Sequence, residues 1–136
     1  MFGKTRSFAK PTVLETTAGG TVLELVLQRK YIEHSLHDTS PSLRDMIEGR
    51  NRVALVINLL RLEFVDGHAS DLLIGEIVGL CAAGLTCCIV ATGTTARSLT
   101  TVLEKAKITD AFGLRVFADL EEAVWYCRQH LLEGTS

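Results

Sequence analysis

Two short segments carry most of the residue types that could do chemistry. The first is Asp66-Gly67-His68, with Ser70 just beyond it. An Asp before a helical pattern caps the free amides of the first turn, and an imidazole titrates near neutral pH. Together they could form a partner-facing turn whose charge changes with pH. His68 could also accept a phosphoryl group, although no phosphotransfer motif accompanies it. The plainer alternative is a capped helix start in which Gly67 eases the entry and His68 is merely exposed. The second segment is Gly93-Thr94-Thr95-Ala96-Arg97-Ser98, which follows an apolar run and opens a helical pattern. Uncapped amides and the helix dipole favour an anion there, and Arg97 would add a charge-assisted contact. The segment could hold a nucleotide or a phosphate, but the second Gly and the Lys of a Walker motif are absent. An ordinary capped helix start is the alternative.

The other reactive residues form no convergent set. The cysteines are Cys81, Cys87, Cys88 and Cys127, and their spacing matches no common zinc pattern. Cys87 and Cys88 are adjacent, so on a strand they point to opposite faces; buried free thiols in a reducing compartment are expected. His34 and His37 are three apart and could pair with Glu33 or Asp38 on one helical face, but a solvated pair is the simpler expectation. There is no Gly-x-Ser-x-Gly elbow and no locally supported Cys/His arrangement. The expectation is a protein that is not an enzyme, with no metal and no cofactor.

Two features suggest surfaces instead. Gly75, Gly79 and Ala83 recur every four residues, with Ala82 beside them. Glycine inside a helix costs up to ~1 kcal/mol against Ala, so the strip wants a packing reason. That reason is either a neighbour within the fold or another molecule's backbone. The strip lies off the Leu73/Ile77/Leu80 stripe, which leans outward. Trp125 and Leu132 likewise fall away from the Leu120/Val124/Cys127/Leu131 stripe of their helix. They read as a contact patch or as residues covered by the N-terminal tail.

The elements that must position these residues follow from the pattern. The chain has 136 residues and a formal charge of −2, and 47% of it is apolar, which suits one domain with a real core. Acidic and basic residues are mixed, so no nucleic-acid footprint is expected. No apolar run reaches the ~18–20 residues that span a bilayer, and a cytoplasmic protein without membrane insertion is expected. Residues 1–11 and 133–136 read as tails around a domain at 12–132. Val13 to Thr17 and Thr21 to Leu27 flank Ala18-Gly19-Gly20 and read as a hairpin. Residues 28–39 are ambiguous, and Ser40-Pro41 opens a helix that suits an end at Gly49. Arg52 to Leu59 is apolar without alternation, the pattern of a strand covered on both faces. A long helix follows from Asp66-Gly67 to Ala83 and is stopped by Gly84; its inward stripe is Leu73, Ile77, Leu80 and Cys81. Leu85 to Thr92 is a second buried strand. Thr94 or Thr95 would cap the next helix, whose core side is Leu99, Val102, Leu103 and Ala106. Leu114 to Phe117 is a short strand, and Asp119 with Glu122 caps the last helix. The order β-β-α-β-α-β-α-β-α predicts an α/β fold, a mixed and mainly parallel sheet of about five strands with about four helices. Its ligand and partner sites should favour the edge after the strands.

This string of motifs resembles the STAS domain, over roughly residues 12–132. The carrying segments are Val53-Ala54-Leu55-Val56-Ile57-Asn58-Leu59 followed by Phe64-Val65-Asp66, then Ala83 to Val90, then Val116 to Ala123. The family includes anti-sigma-factor antagonists, stressosome subunits and the cytoplasmic tails of sulfate transporters. The resemblance implies a regulatory domain that contacts a kinase or anti-sigma-type partner through the Asp66–Gly79 turn and helix. In the antagonists a Ser or Thr just after the Asp is phosphorylated, which adds negative charge and changes affinity. Here Gly67 and His68 stand in those positions, and Asn58 stands where an acidic residue is often seen. Ser70 is the nearest hydroxyl and the candidate substitute phosphosite, with Thr39 a second. Some family members bind nucleotides, which would engage Gly93, Thr94, Thr95 and Arg97. A homo-oligomeric scaffold built through Trp125 and the glycine strip is the third expectation.

Overall fold

The structure, a computed structural model, describes residues 12–17, 19–27, 52–61 and 67–133, with the side chains at 67–70, 72 and 133 left aside. The expected helix after Ser40-Pro41, the ambiguous 28–39 stretch, Asp66 and both His34 and His37 lie outside the described residues. In chain order the elements are β1 (Thr12–Thr17), β2 (Gly20–Val26), β3 (Val53–Asn58), α1 (Gly67–Ala82) and β4 (Thr86–Val90). They continue with α2 (Gly93–Lys105), α3 (Ile108–Phe112), β5 (Val116–Phe117) and α4 (Leu120–Glu133).

The expected α/β class holds: one five-stranded sheet in the order β1-β2-β3-β4-β5, antiparallel between β1 and β2 and parallel thereafter. The hairpin turn needs its glycines for space. A Cβ on Gly19 would stand 2.8 Å from the Leu131 carbonyl oxygen, and one on Gly20 (φ +148°) 2.6 Å from that of Arg52. β3 is buried along Val53–Ile57, as its unbroken apolar run required.

The connections all step in one direction along the sheet. Crossovers of one hand that step the same way must lie on the same face, and α1 and α2 do. Leu73, Ile74 and Ile77 of α1 and Leu99 and Leu103 of α2 pack with Leu23, Leu55, Ile57, Cys87 and Ile89. α4 follows the last strand and covers the other face, where Ala123, Cys127 and Leu131 meet Val22, Ala54, Val56, Cys88 and Val90. Two ties fasten α4 down. Arg128 donates to both carboxylate oxygens of Glu15 on edge strand β1, at 2.9 and 2.8 Å, and Arg52 donates to the Leu131 carbonyl at 2.7 Å.

Several local expectations need correction. Ile74 joins the buried stripe of α1, on which Leu80 and Cys81 pack against the core as expected but only half-buried. The N-cap position of α2 falls on Thr92, in extended conformation, rather than on Thr94 or Thr95, because the helix already starts at Gly93. The core side of α2 runs Thr95, Leu99, Leu103 at four-residue spacing, and Ala106 is an exposed C-cap. α3 was not expected. Five residues are too few to show a helical stripe, and this turn is bounded by left-handed Lys107 (φ 56°) and Gly113 (φ 70°) instead. Asp119 caps the last helix as expected, with the Glu121 amide, rather than that of Glu122, donating to its Oδ1 at 2.9 Å.

Candidate functional site

The C-terminal ends of the parallel strands form one rim. The Leu27 amide donates to the Asn58 carbonyl at 3.0 Å, the Leu59 amide to Val90 at 2.8 Å, and the Ala91 amide to Phe117 at 2.9 Å. α1 follows β3 and α2 follows β4, so Gly67 and Gly93 begin their helices along this same rim. Open α/β sheets bind ligands in the crevice where the strand order reverses. This order never reverses, so the rim has no such crevice.

At the rim, Asn58 is engaged from both sides. Its Nδ2 donates to Glu24 Oε2 at 2.9 Å, and its Oδ1 accepts from the Leu60 amide at 2.9 Å. The pair fixes the exit of β3 toward α1. The sequence reading noted Asn58 but missed Glu24, whose signal was a lone carboxylate in the otherwise apolar Leu23–Leu27 run.

Of the α1 candidates, Asp66 lies outside the described residues. Gly67, His68 and Ser70 form the first turn of the helix, with undescribed side chains. Gly75 and Gly79 are exposed, as are Asp71, Ala82 and Ala83. A Cβ added at Gly75 or Gly79 would meet nothing within 4 Å. Neither glycine has a positive φ. Among the described residues, neither backbone strain nor internal packing demands a glycine at these two positions.

At the start of α2, Gly93 (φ 63°), Thr94 and Arg97 are exposed, whereas Thr95 is only 4% exposed and packs on the core side. Thr92 makes no side-chain cap bond.

The cysteines form two pairs, one on each face of the sheet. Cys88 Sγ lies 3.3 Å from Cys127 Sγ, joining β4 to α4 in the buried core. Its hydrogen bond to Cys127, and then burial, push the Cys88 thiol up. On the other face the Cys87 thiol donates to Cys81, which raises Cys87 and lowers half-buried Cys81. Adjacent residues 87 and 88 thus diverge as strand alternation requires. Among the described residues, no three His, Cys, Asp or Glu side chains gather closely enough to hold a metal ion. No described helix is long and apolar enough to cross a membrane.

On α4, Trp125 is 57% exposed and Leu132 43%. Trp125 lines a depression of about 400 Å³ with Phe117, Tyr126, Asp119, Glu121 and Glu122. Neither a family model, nor a curated protein, nor a solved structure matches this chain.

Proposed function

We propose that this chain is a non-catalytic regulatory domain that binds a protein partner of the kinase or anti-sigma type. The surface is the rim end and outer face of α1, from Asp66 to Gly79, as in the STAS antagonists that the sequence resembles. One observation carries the reading. α1 holds two exposed glycines mid-helix where Ala would be tolerated and would favour the helix. A glycine kept against helix propensity, with no internal neighbour to accommodate, suits a surface that another backbone approaches closely. The monotonic sheet supports this further, since it leaves helix surfaces rather than a crevice for recognition. The Gly93–Arg97 start gains less support as a nucleotide site, because Thr95 turns into the core. With Gly67 and His68 after Asp66, control by Ser/Thr phosphorylation at those two positions is ruled out by residue type.

The test is calorimetric titration of the kinase-like anti-sigma factor of the native host with the wild type, Gly75→Gln, Gly79→Gln and Gly75→Ala. The Gln variants should bind at least about tenfold more weakly, a loss of about 1.4 kcal/mol, with unchanged far-UV circular dichroism. Gly75→Ala should bind closest to wild type. No binding by the wild type, or equal binding by all four proteins, would overturn the reading.

A further inference from the structure

We propose that Cys81 and Cys87 form a peroxide-responsive thiol pair, in which Cys81 takes up the oxidising oxygen and Cys87 then closes a disulfide with it. The inference goes beyond the partner reading and does not rest on it. It concerns the inner side of α1, at the end away from the rim.

The fold sets the two residues together through a tight reversal of the chain. α1 ends at Ala82, Gly84 takes a φ of +106°, and β4 begins at Thr86. Main-chain bonds fix the reversal. The Gly84 amide donates to the Cys81 carbonyl at 3.0 Å and the Leu85 amide to the Leu80 carbonyl at 3.2 Å. That pattern closes a helix around one left-handed residue. Cys81 stands just before the turn. Cys87 is second in β4 and points to the face that α1 covers, where Cys81 packs against the same apolar cluster. There the Cys87 thiol donates to Cys81.

Exposure divides the roles. Cys81 is half-buried, and Ala82, Ala83 and Gly84 after it are exposed and carry nothing larger than a methyl group. Cys87 is only 1% exposed. A dissolved oxidant therefore meets Cys81 first. The thiolate is the reactive form. The hydrogen bond from the Cys87 thiol holds Cys81 below its ordinary value, against burial, and the Cys87 amide adds to the effect. The dipole at the end of α1 opposes a thiolate, so the reaction is slower than at a helix N-terminus. The same hydrogen bond, and then burial, push Cys87 up, so it waits as a thiol. An accessible, acidic thiol beside a second thiol is the arrangement of redox-sensing cysteines. Cys88 and Cys127 are the contrast. Their sulfurs lie 3.3 Å apart, but both residues are fully buried, so neither meets the oxidant.

The chemistry balances with hydrogen peroxide as the oxidant. The Cys81 thiolate attacks one peroxide oxygen; an S–O bond forms, the O–O bond breaks, and the departing hydroxide takes up a proton as water. The Cys87 sulfur then attacks the sulfur of the sulfenic acid. The S–S bond forms, the S–O bond breaks, and the Cys87 proton leaves with the hydroxide as a second water. Two thiols supply the two electrons that one peroxide accepts, and an external dithiol reverses the change.

The reduced full chain is treated with hydrogen peroxide, the remaining thiols are alkylated, and peptide mass spectrometry locates the oxidised cysteines. The proteins are the wild type, Cys81→Ser, Cys87→Ala and Cys88→Ala/Cys127→Ala, with circular dichroism verifying the fold. The wild type should lose two hydrogens between Cys81 and Cys87, and dithiothreitol should restore them. Cys88→Ala/Cys127→Ala should be oxidised at the wild-type rate. Cys87→Ala should accumulate sulfenic acid at Cys81, trapped by dimedone. Cys81→Ser should lose its thiols at least about tenfold more slowly. An unoxidised wild type, a disulfide between Cys88 and Cys127 or between two chains, or equal thiol loss in the wild type and Cys81→Ser would overturn the inference. The wild-type readout needs no variant, so a substitution that disturbs the fold leaves the test decisive.

Discussion

α1 and α4 bury apolar stripes on opposite faces of one sheet, and their solvent sides have little in common. α1 presents Gly75, Gly79 and Ala82, with Ala83 just past its end, a strip almost without side chains. α4 presents Trp125 beside Glu121 and Glu122. The inner sides are alike even to a cysteine pair each, Cys81 with Cys87 and Cys88 with Cys127. The difference is therefore one of surface, laid over a common means of covering a sheet. Where strand order never reverses, no crevice exists to be lined. Recognition must then be carried by the outer faces of the covering helices, and these two carry different kinds.

The comparison can be broken first in the core, where the largest effect is expected. Leu99 and Leu131 are both buried, one on each face. Leu99 sits among α1, α2 and the sheet, with packed neighbours all round. Leu131 ends the stripe of α4, against the hairpin turn. Leu99→Ala should cost about 4–5 kcal/mol, and Leu131→Ala about 2–3 kcal/mol because the turn can settle toward the gap. Urea denaturation measures both. Equal losses would show that the α4 face is as tightly braced as the other.

A smaller effect, of opposite sign, tests the outer face of α1. Gly75→Ala and Gly79→Ala should each stabilise the protein by up to about 1 kcal/mol, since the added Cβ meets nothing and the helix gains propensity. Gly20→Ala is the contrast. It should destabilise, because its φ of +148° and the Arg52 carbonyl at 2.6 Å both resist a side chain. Thermal unfolding of the three variants reads the difference. A loss at Gly75 or Gly79 would mean that the glycines serve the fold after all.

What the sequence disclosed was whatever a local pattern dictates. Val53–Ile57 had to be a central strand because nothing in it alternates, and the divergence of Cys87 and Cys88 followed from strand geometry alone. The outward position of Gly75 and Gly79 was legible from helical phase, as was that of Trp125. Contacts between distant residues were not legible. Cys88 meets Cys127 across 39 positions and Arg128 meets Glu15 across 113, and no spacing rule reaches so far. The walls of the Trp125 groove were hidden for the same reason, since Phe117 and Tyr126 come together only when α4 folds back over the sheet. α3 escaped because left-handed Lys107, on which sequence gives no hint, opens it.

The smallest effect concerns the seam between β1 and α4, and it is a matter of pH. The hydrogen bond from Arg128 holds the Glu15 carboxyl below its ordinary value of 4.5, against the opposing pull of burial. A carboxyl depressed in the folded state contributes stability above its unfolded value and loses it as pH falls through the folded one. Between about pH 5 and 2 the wild type should therefore lose more stability than Glu15→Gln, and the two should converge at the acid end. Melting temperatures taken across that range check it. Both partners are about a third exposed, at 36% and 29%, so the gap should be small and should shrink in salt. A gap that persists in molar salt would mean that the two hydrogen bonds from Arg128, rather than screened charge attraction, hold Glu15 at this seam.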